Sequence, residues 1–253
     1  MKVTFLGTGT SQGVPVIACD CNVCTSEDPR DKRLRSSVLI EHNNSTVVID
    51  SGPDFRQQML RARVNRIDGL VFTHEHKDHI AGMDDIRAFN YVHREKVNIY
   101  ATHRVQQALH REFPYVFEDF KYPGVPEIEM HTIDGSPFFI GDMKLKPVEV
   151  LHYRLPVLGF RVGDFTYITD ANAITETELA KIRGSKIVVI NALRREPHVS
   201  HFTLSQALEV LEKIGPEQAY LTHISHQLGR HKDVNAELPP NVKCAYDELI
   251  VEL

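Results

Sequence analysis

Apolar and polar positions along the chain fall into two rhythms. Short runs rich in β-branched and aromatic residues occupy 2–6, 37–41, 46–50, 70–73, 97–100, 144–150, 159–162, 165–169, 187–191 and 219–222. Runs of this length and composition predict strands. Helical periodicity marks 83–92, 104–112, 175–183 and 204–214, the last opened by Thr203 as a plausible N-cap. This is more strand than one simple doubly wound sheet holds. The first half is richer in strand pairs and the second alternates strand with helix. The expectation is therefore an α/β (or α+β) sandwich in which helices cover two sheets.

No repeat, low-complexity tract or Gly/Ser linker divides the chain, so 1–253 reads as a single domain. The stretch 113–137 stands apart, with Phe113, Tyr115, Phe117, Phe120 and Tyr122 set among Pro114, Pro123, Pro126 and Pro137. A connection of this length and composition reads either as a lid or as an ordinary packed surface loop. A hydrophobic fraction of 42% supplies a globular core and excludes disorder. The net charge of −5 makes long polyanions, nucleic acid included, a less favoured partner. Residues 1–6 lack a charged region followed by a long apolar one, and no apolar run reaches the ~18 residues of a membrane span. The expectation is an unprocessed cytoplasmic protein with no membrane partner.

Histidine is the unusual entry, since the 14 His equal the 14 Gly. In Thr73-His74-Glu75-His76-Lys77-Asp78-His79, a cluster follows an apolar strand. Residues two apart on an extended backbone project to one side, so His74 and His76 can bind one metal. As the chain turns, Asp78 and His79 face a neighbouring position. So many nitrogen and oxygen ligands behind a buried strand are costly without a cation. A second cluster, Cys19-Asp20-Cys21-Asn22-Val23-Cys24, offers thiolates for three corners of a tetrahedral zinc site. His226 is the candidate for the fourth corner, with His231 and His42 as substitutes. Two basic groups, Arg30, Lys32, Arg33 and Arg35, and Arg194 with Arg195, offer either contacts to a substrate phosphate or solvated faces.

The His-x-His-x-Asp-His run resembles the metallo-β-lactamase superfamily, and the remaining ligands of that superfamily follow in order at strand ends. The resemblance implies a four-layer αβ/βα sandwich with a two-metal site along one edge. It assigns His74, His76 and His152 to one metal, Asp78, His79 and His223 to the other, and Asp170 to the bridge. Asp50 matches the aspartate that orients the metal-binding loop. Zinc β-lactamases commonly carry Cys where this chain has Asp170, whereas two-metal hydrolases of phosphodiesters and thioesters carry Asp, so antibiotic hydrolysis is disfavoured. The Cys-x-Cys-x-x-Cys loop, completed by a histidine just beyond His223, is similar to that of PhnP-type phosphodiesterases of phosphonate catabolism, which open a phosphoribosyl cyclic phosphate. A similar loop occurs in relatives tied to pyrroloquinoline quinone biosynthesis. His201-x-Thr203 resembles the His-x-Thr loop of phosphodiesterase members. There the histidine assists phosphate and leaving group, and His201 and Asp78 are the catalytic pair so implied.

These assignments imply a metal-dependent phosphodiesterase that hydrolyses a small or cyclic phosphate ester by attack of a metal-bridging hydroxide. Two divalent ions, zinc or manganese, would serve the active site and one structural zinc the cysteine loop. The alternatives are an RNA 3′-processing nuclease of the same superfamily, a thioester or lactone hydrolase, and a non-catalytic cofactor-biosynthesis carrier. A homodimer is left open.

Overall fold

The computed structural model describes residues 1–120 and 122–253. Strands Lys2–Gly7 (β1), Ser37–His42 (β2), Ser45–Ile49 (β3), Gly69–Val71 (β4), Val97–Ala101 (β5) and Ile128–Thr132 (β6) lie in one sheet. Strands Phe138–Ile140 (β7), Met143–His152 (β8), Leu155–Val162 (β9), Phe165–Tyr167 (β10), Ile187–Asn191 (β11), Gln218–Thr222 (β12) and Val242–Cys244 (β13) form a second. The last strand, Ile250–Glu252 (β14), returns to pair with β1. The orders are β14-β1-β2-β3-β4-β5-β6 and β13-β12-β11-β10-β9-β8-β7. In each sheet one part is antiparallel and the other, β3 to β6 or β10 to β13, is parallel.

The α-helices are Phe55–Ala62 (α1), Lys77–Ile80 (α2), Arg87–His93 (α3), His103–Glu112 (α4), Pro114–Phe117 (α5), Glu176–Ile182 (α6), Leu204–Ile214 (α7) and His231–Glu237 (α8). Strand alternation explains the layering. In β3, Val47 and Ile49 pack between the sheets while Val48 faces the helices; in β11, Ile187 and Val189 face inward while Val188 and Ile190 meet α6 and α7. Both faces of these strands are buried, which is why they read as near-continuous apolar runs. The result is helix, sheet, sheet, helix, the four-layer αβ/βα sandwich expected from the resemblance.

The main departures from the sequence reading lie at sheet edges and in short helices. The stretch 113–137 contains α5 and the edge strand β6, with Phe113 and Val116 buried and Phe120 and Tyr122 exposed; Lys121 lies outside the described residues. Strand β6 buries neither face fully, so its sequence carries no clean alternation. Helix α1 escaped the pattern because its inward face includes Gln58, whose amide donates to the Arg35 carbonyl at 2.8 Å. Among the described residues, no helix is long and apolar enough to cross a membrane.

Candidate metal centre

The histidines and carboxylates of the candidate site all follow strand ends. His74 and His76 follow β4, His152 ends β8, Asp170 follows β10 and His223 follows β12. For β4, β10 and β12 this is the edge outside the carboxyl ends of parallel strands, where open α/β sheets place ligands, and antiparallel β8 adds His152 to it. Asp50, Asp170 and His223 turn with φ of 66°, 55° and 53°. The left-handed region is disfavoured for residues with a Cβ, by about 1–2 kcal/mol each. Three such turns at one edge mark a site that the surrounding packing holds against local preference.

The structure gathers the imidazoles and carboxylates into two adjoining groups, His74 with His76 and His152, and Asp78 with His79, Asp170 and His223. Asp170 stands between them. Its Oδ1 lies 3.3 Å from His79 Nε2 and 3.1 Å from His223 Nδ1, and its Oδ2 lies 3.9 Å from His74 Nε2. Ligands bound to one ion at about 2.1 Å in tetrahedral geometry stand about 3.4 Å apart. His74 Nε2, His79 Nε2 and His223 Nδ1 are buried with no hydrogen-bond partner. Burying a polar nitrogen unpaired costs ~1–3 kcal/mol. Orphaned nitrogens converging on a shared carboxylate fit a pair of divalent cations.

The opposite ring nitrogens are tied down. His79 Nδ1 donates to Asp50 Oδ2 at 2.7 Å and His152 Nδ1 donates to the Ser200 carbonyl at 2.8 Å. The Thr73 hydroxyl donates to Asp50 Oδ2 at 2.8 Å, leaving its oxygen to accept from His74 Nδ1 at 2.9 Å. Thr10 Oγ1 lies 3.3 Å from His223 Nε2. Such contacts select the tautomer that turns a lone pair toward a metal. Asp50 thus bonds to His79 directly and reaches His74 through Thr73, while Thr10, Thr73 and Ser200 are contacts the sequence alone does not reveal.

Electrostatics set His79 apart from the rings around it. Burial holds His74 well below the ordinary histidine range, with the nearby His79 adding to the effect, and burial also lowers His76 and His223. Burial opposes charge on His79 too, but Asp78, Asp170 and Asp50 outweigh it and raise that ring well above the ordinary value. For Asp170, burial is overcome by His223 and His79, which hold the carboxyl well below its usual range. His201 joins this wall: its unpartnered Nδ1 lies 4.0 Å from Asp170 Oδ2 and its ring centroid 4.6 Å from that of His152. Burial, reinforced by His223, keeps His201 down to about 3, so the ring is neutral at neutral pH.

The cysteine loop closes on the predicted histidine. His226 Nδ1 lies 3.3 Å from Cys19 Sγ, 3.4 Å from Cys21 Sγ and 3.5 Å from Cys24 Sγ. A tetrahedron of three sulfurs at about 2.3 Å and one nitrogen at about 2.0 Å has N···S edges of about 3.5 Å. The Cys24 amide and the His226 ring hold the Cys21 thiol down to about 6, whereas burial pushes Cys24 up to about 11. His231 packs elsewhere, its Nδ1 taking the Arg33 guanidinium at 3.4 Å, and His42 lies on β2.

The basic residues have internal tasks. Arg30 pairs with Asp28, Lys32 donates to the Cys24 carbonyl, and buried Arg33 donates to Thr8 Oγ1 and the Ala245 carbonyl. Arg35 spans Asp54 and the Ser11 carbonyl. Arg194 donates to the carbonyls of Glu196 and Pro197 and to Gln227 Oε1, and Arg195 to the Leu228 carbonyl and Glu237. Arg194 and Arg195 thus both bind acceptors in and around the loop that carries His201.

The chain matches the family model of the beta-lactamase superfamily domain over residues 45–224. A crystal structure described as a diphosphatase from the PhnP family is 38% identical, covering 100% of this chain and 97% of that one with a TM-score of 0.93. An octanoyltransferase from Porphyromonas gingivalis is 38% identical over 252 residues, 98% of this chain and 51% of that protein. A ribonuclease Z from Nostoc is 26% identical over 168 residues, 65% of this chain and 47% of the relative. The chain thus spans about half the length of these curated relatives. Zinc-bound PqqB from Methylobacterium extorquens, at 17% identity and a TM-score of 0.77, shares the fold. With the family model covering most of the chain and the PhnP-family structure matching end to end, the chain belongs to the metallo-β-lactamase superfamily and resembles its PhnP branch.

Proposed function

We propose that the chain acts as one hydrolase unit that cleaves a small phosphate ester at a two-metal site. The observation that carries this reading is Asp170, one carboxylate facing His79 and His223 through one oxygen and His74 through the other. Bound divalent ions would supply an activated water and positive charge for the phosphoryl oxygens. The remaining work falls to the chain. His74, His76 and His152 would hold one ion, Asp78, His79 and His223 would hold the other, and Asp170 would serve both. Asp50, Thr73, Thr10 and the Ser200 carbonyl keep the rings aimed. His201, neutral and with Nδ1 unpartnered, is suited to donate a hydrogen bond to a phosphoryl or leaving-group oxygen as negative charge builds there.

The similar PhnP-family structure, described as a diphosphatase, supports attack at phosphorus. The name octanoyltransferase belongs to a protein about twice as long, and a name does not locate acyl transfer in its matched half. Net charge −5 disfavours a polynucleotide substrate. The test is one metal-characterised preparation assayed on ribosyl cyclic phosphodiesters, 2′,3′-cyclic nucleotides, diphosphate diesters, a tRNA precursor and an octanoyl thioester. Turnover of a small phosphorus ester with weak salt dependence supports the proposal. Turnover confined to the thioester or the tRNA precursor overturns it.

A further inference from the structure

Residues 193–204 form a loop closed at its neck by Leu193 N donating to the Phe202 carbonyl and Leu204 N to the Arg194 carbonyl, each at 3.0 Å. Its tip carries His198, Ser200 and His201, and Ser200 supplies the carbonyl that fixes the His152 ring. Arg194 fills the loop. Nη2 donates to the Pro197 carbonyl at 2.8 Å and Nε to the Glu196 carbonyl at 3.2 Å, bracing the tip from within. Its third link leaves the loop: Nη1 donates to Gln227 Oε1 at 3.0 Å. Gln227 directly follows His226, which closes the cysteine cluster. The intervening chain is stiff, because Ser225 Oγ donates to the Leu193 carbonyl at 2.8 Å and accepts from Gln227 N at 3.2 Å.

We infer that Arg194 is a positioning residue that transmits the order of the cysteine cluster, through Gln227, to the loop holding His201 and Ser200. The cluster lies outside the active-site group, yet its state sets how firmly the His201 loop is held. A guanidinium is the suitable side chain because its rigid fork serves several acceptors at once. This deepens the proposed function, since an effect on turnover rests on His201 acting at the ester, whereas the effect on loop order does not.

The test measures amide hydrogen exchange of Ser200, Phe202 and Leu204, whose amides are hydrogen-bonded at the tip and neck of the loop, alongside metal content in the metal-loaded protein. Gln227→Leu removes the link while keeping every ligand and both carbonyl contacts of Arg194. Exchange should quicken about fivefold, the loss of one hydrogen bond, with metal content unchanged. Gln227→Glu retains the acceptor and should restore slow exchange. Cys21→Ser should lower the metal count by one and quicken exchange in the same amides, and in the double variant the two effects should fall well short of their product. Turnover provides a separate arm: Gln227→Leu should lower kcat on an alkyl diester with KM unchanged. Unchanged exchange in Gln227→Leu, or Gln227→Glu behaving like Gln227→Leu, overturns the inference, and both are readable even if Cys21→Ser fails to fold. Altered exchange without hydrolysis of any phosphorus ester would leave the inference standing and sink the proposed function.

Discussion

Asp50 Oδ2 accepts the Nδ1 proton of His79 at 2.7 Å, with both side chains sealed from solvent. The same carboxylate takes the amide and the hydroxyl of Thr73, each at 2.8 Å. One residue thereby aims His79 directly and His74 through Thr73. Asp50→Ala should weaken metal affinity by about 10–100-fold, the usual cost of losing a partner behind a ligand. Competition with a calibrated chelator measures it, and wild-type affinity would remove Asp50 from this role.

Gly52 is required by close approach. A Cβ there would stand 2.2 Å from the Asp78 carbonyl oxygen. Gly52→Ala must displace the backbone that carries Asp78 and His79, so we expect a loss of about 1–3 kcal/mol in unfolding free energy together with lower metal occupancy. Denaturant unfolding and metal analysis on the same sample check both; full occupancy at wild-type stability would show that the loop relaxes freely.

His201 lies beside both metal groups, within reach of His152 and Asp170. His201→Ala should keep the metals, retain most turnover of a diester with an activated aryl leaving group, and lose about 10²–10³-fold on an alkyl diester. Equal losses on the two esters would show that His201 acts on neither the leaving oxygen nor its proton.

His231 gives a pH signature away from the metal groups. Burial, with Arg33 next, lowers its ring from 6.5 to about 4 in the folded chain. On acidification the unfolded chain takes up this proton first. The contribution to stability is therefore fully present above pH 6.5 and is lost as the pH falls toward about 4. His231→Gln should flatten the decline of Tm across that window, measured as the difference from wild type in metal-free protein. A difference independent of pH would contradict the assignment.

The interior of the fold was legible in the sequence because strands such as β3 and β11 are buried on both faces and appear as apolar runs. Strands β7, β13 and β14 have three residues each and show no period, and β6 is only half-buried. The His74–His79 run declared itself by density. His152, Asp170 and His223 became readable only through their order behind it, and His226 through its place beyond His223. Thr10 could not be read this way, since its contact joins a hydroxyl to a ring 213 residues away. Arg194 and Arg195 could not be assigned from the sequence for a physical reason: a guanidinium suits carbonyls and phosphates alike, and the sequence does not show which acceptors the fold brings to it.

The most direct measurement is metal content and diester hydrolysis of Asp170→Ala beside wild type. Asp170→Ala should lose active-site metal, retain an ion at Cys19, Cys21, Cys24 and His226, and hydrolyse the diester about 10³-fold or more slowly, comparable to losing a principal electrostatic group. An Asp170→Ala protein with full metal content and wild-type hydrolysis would contradict the proposed function.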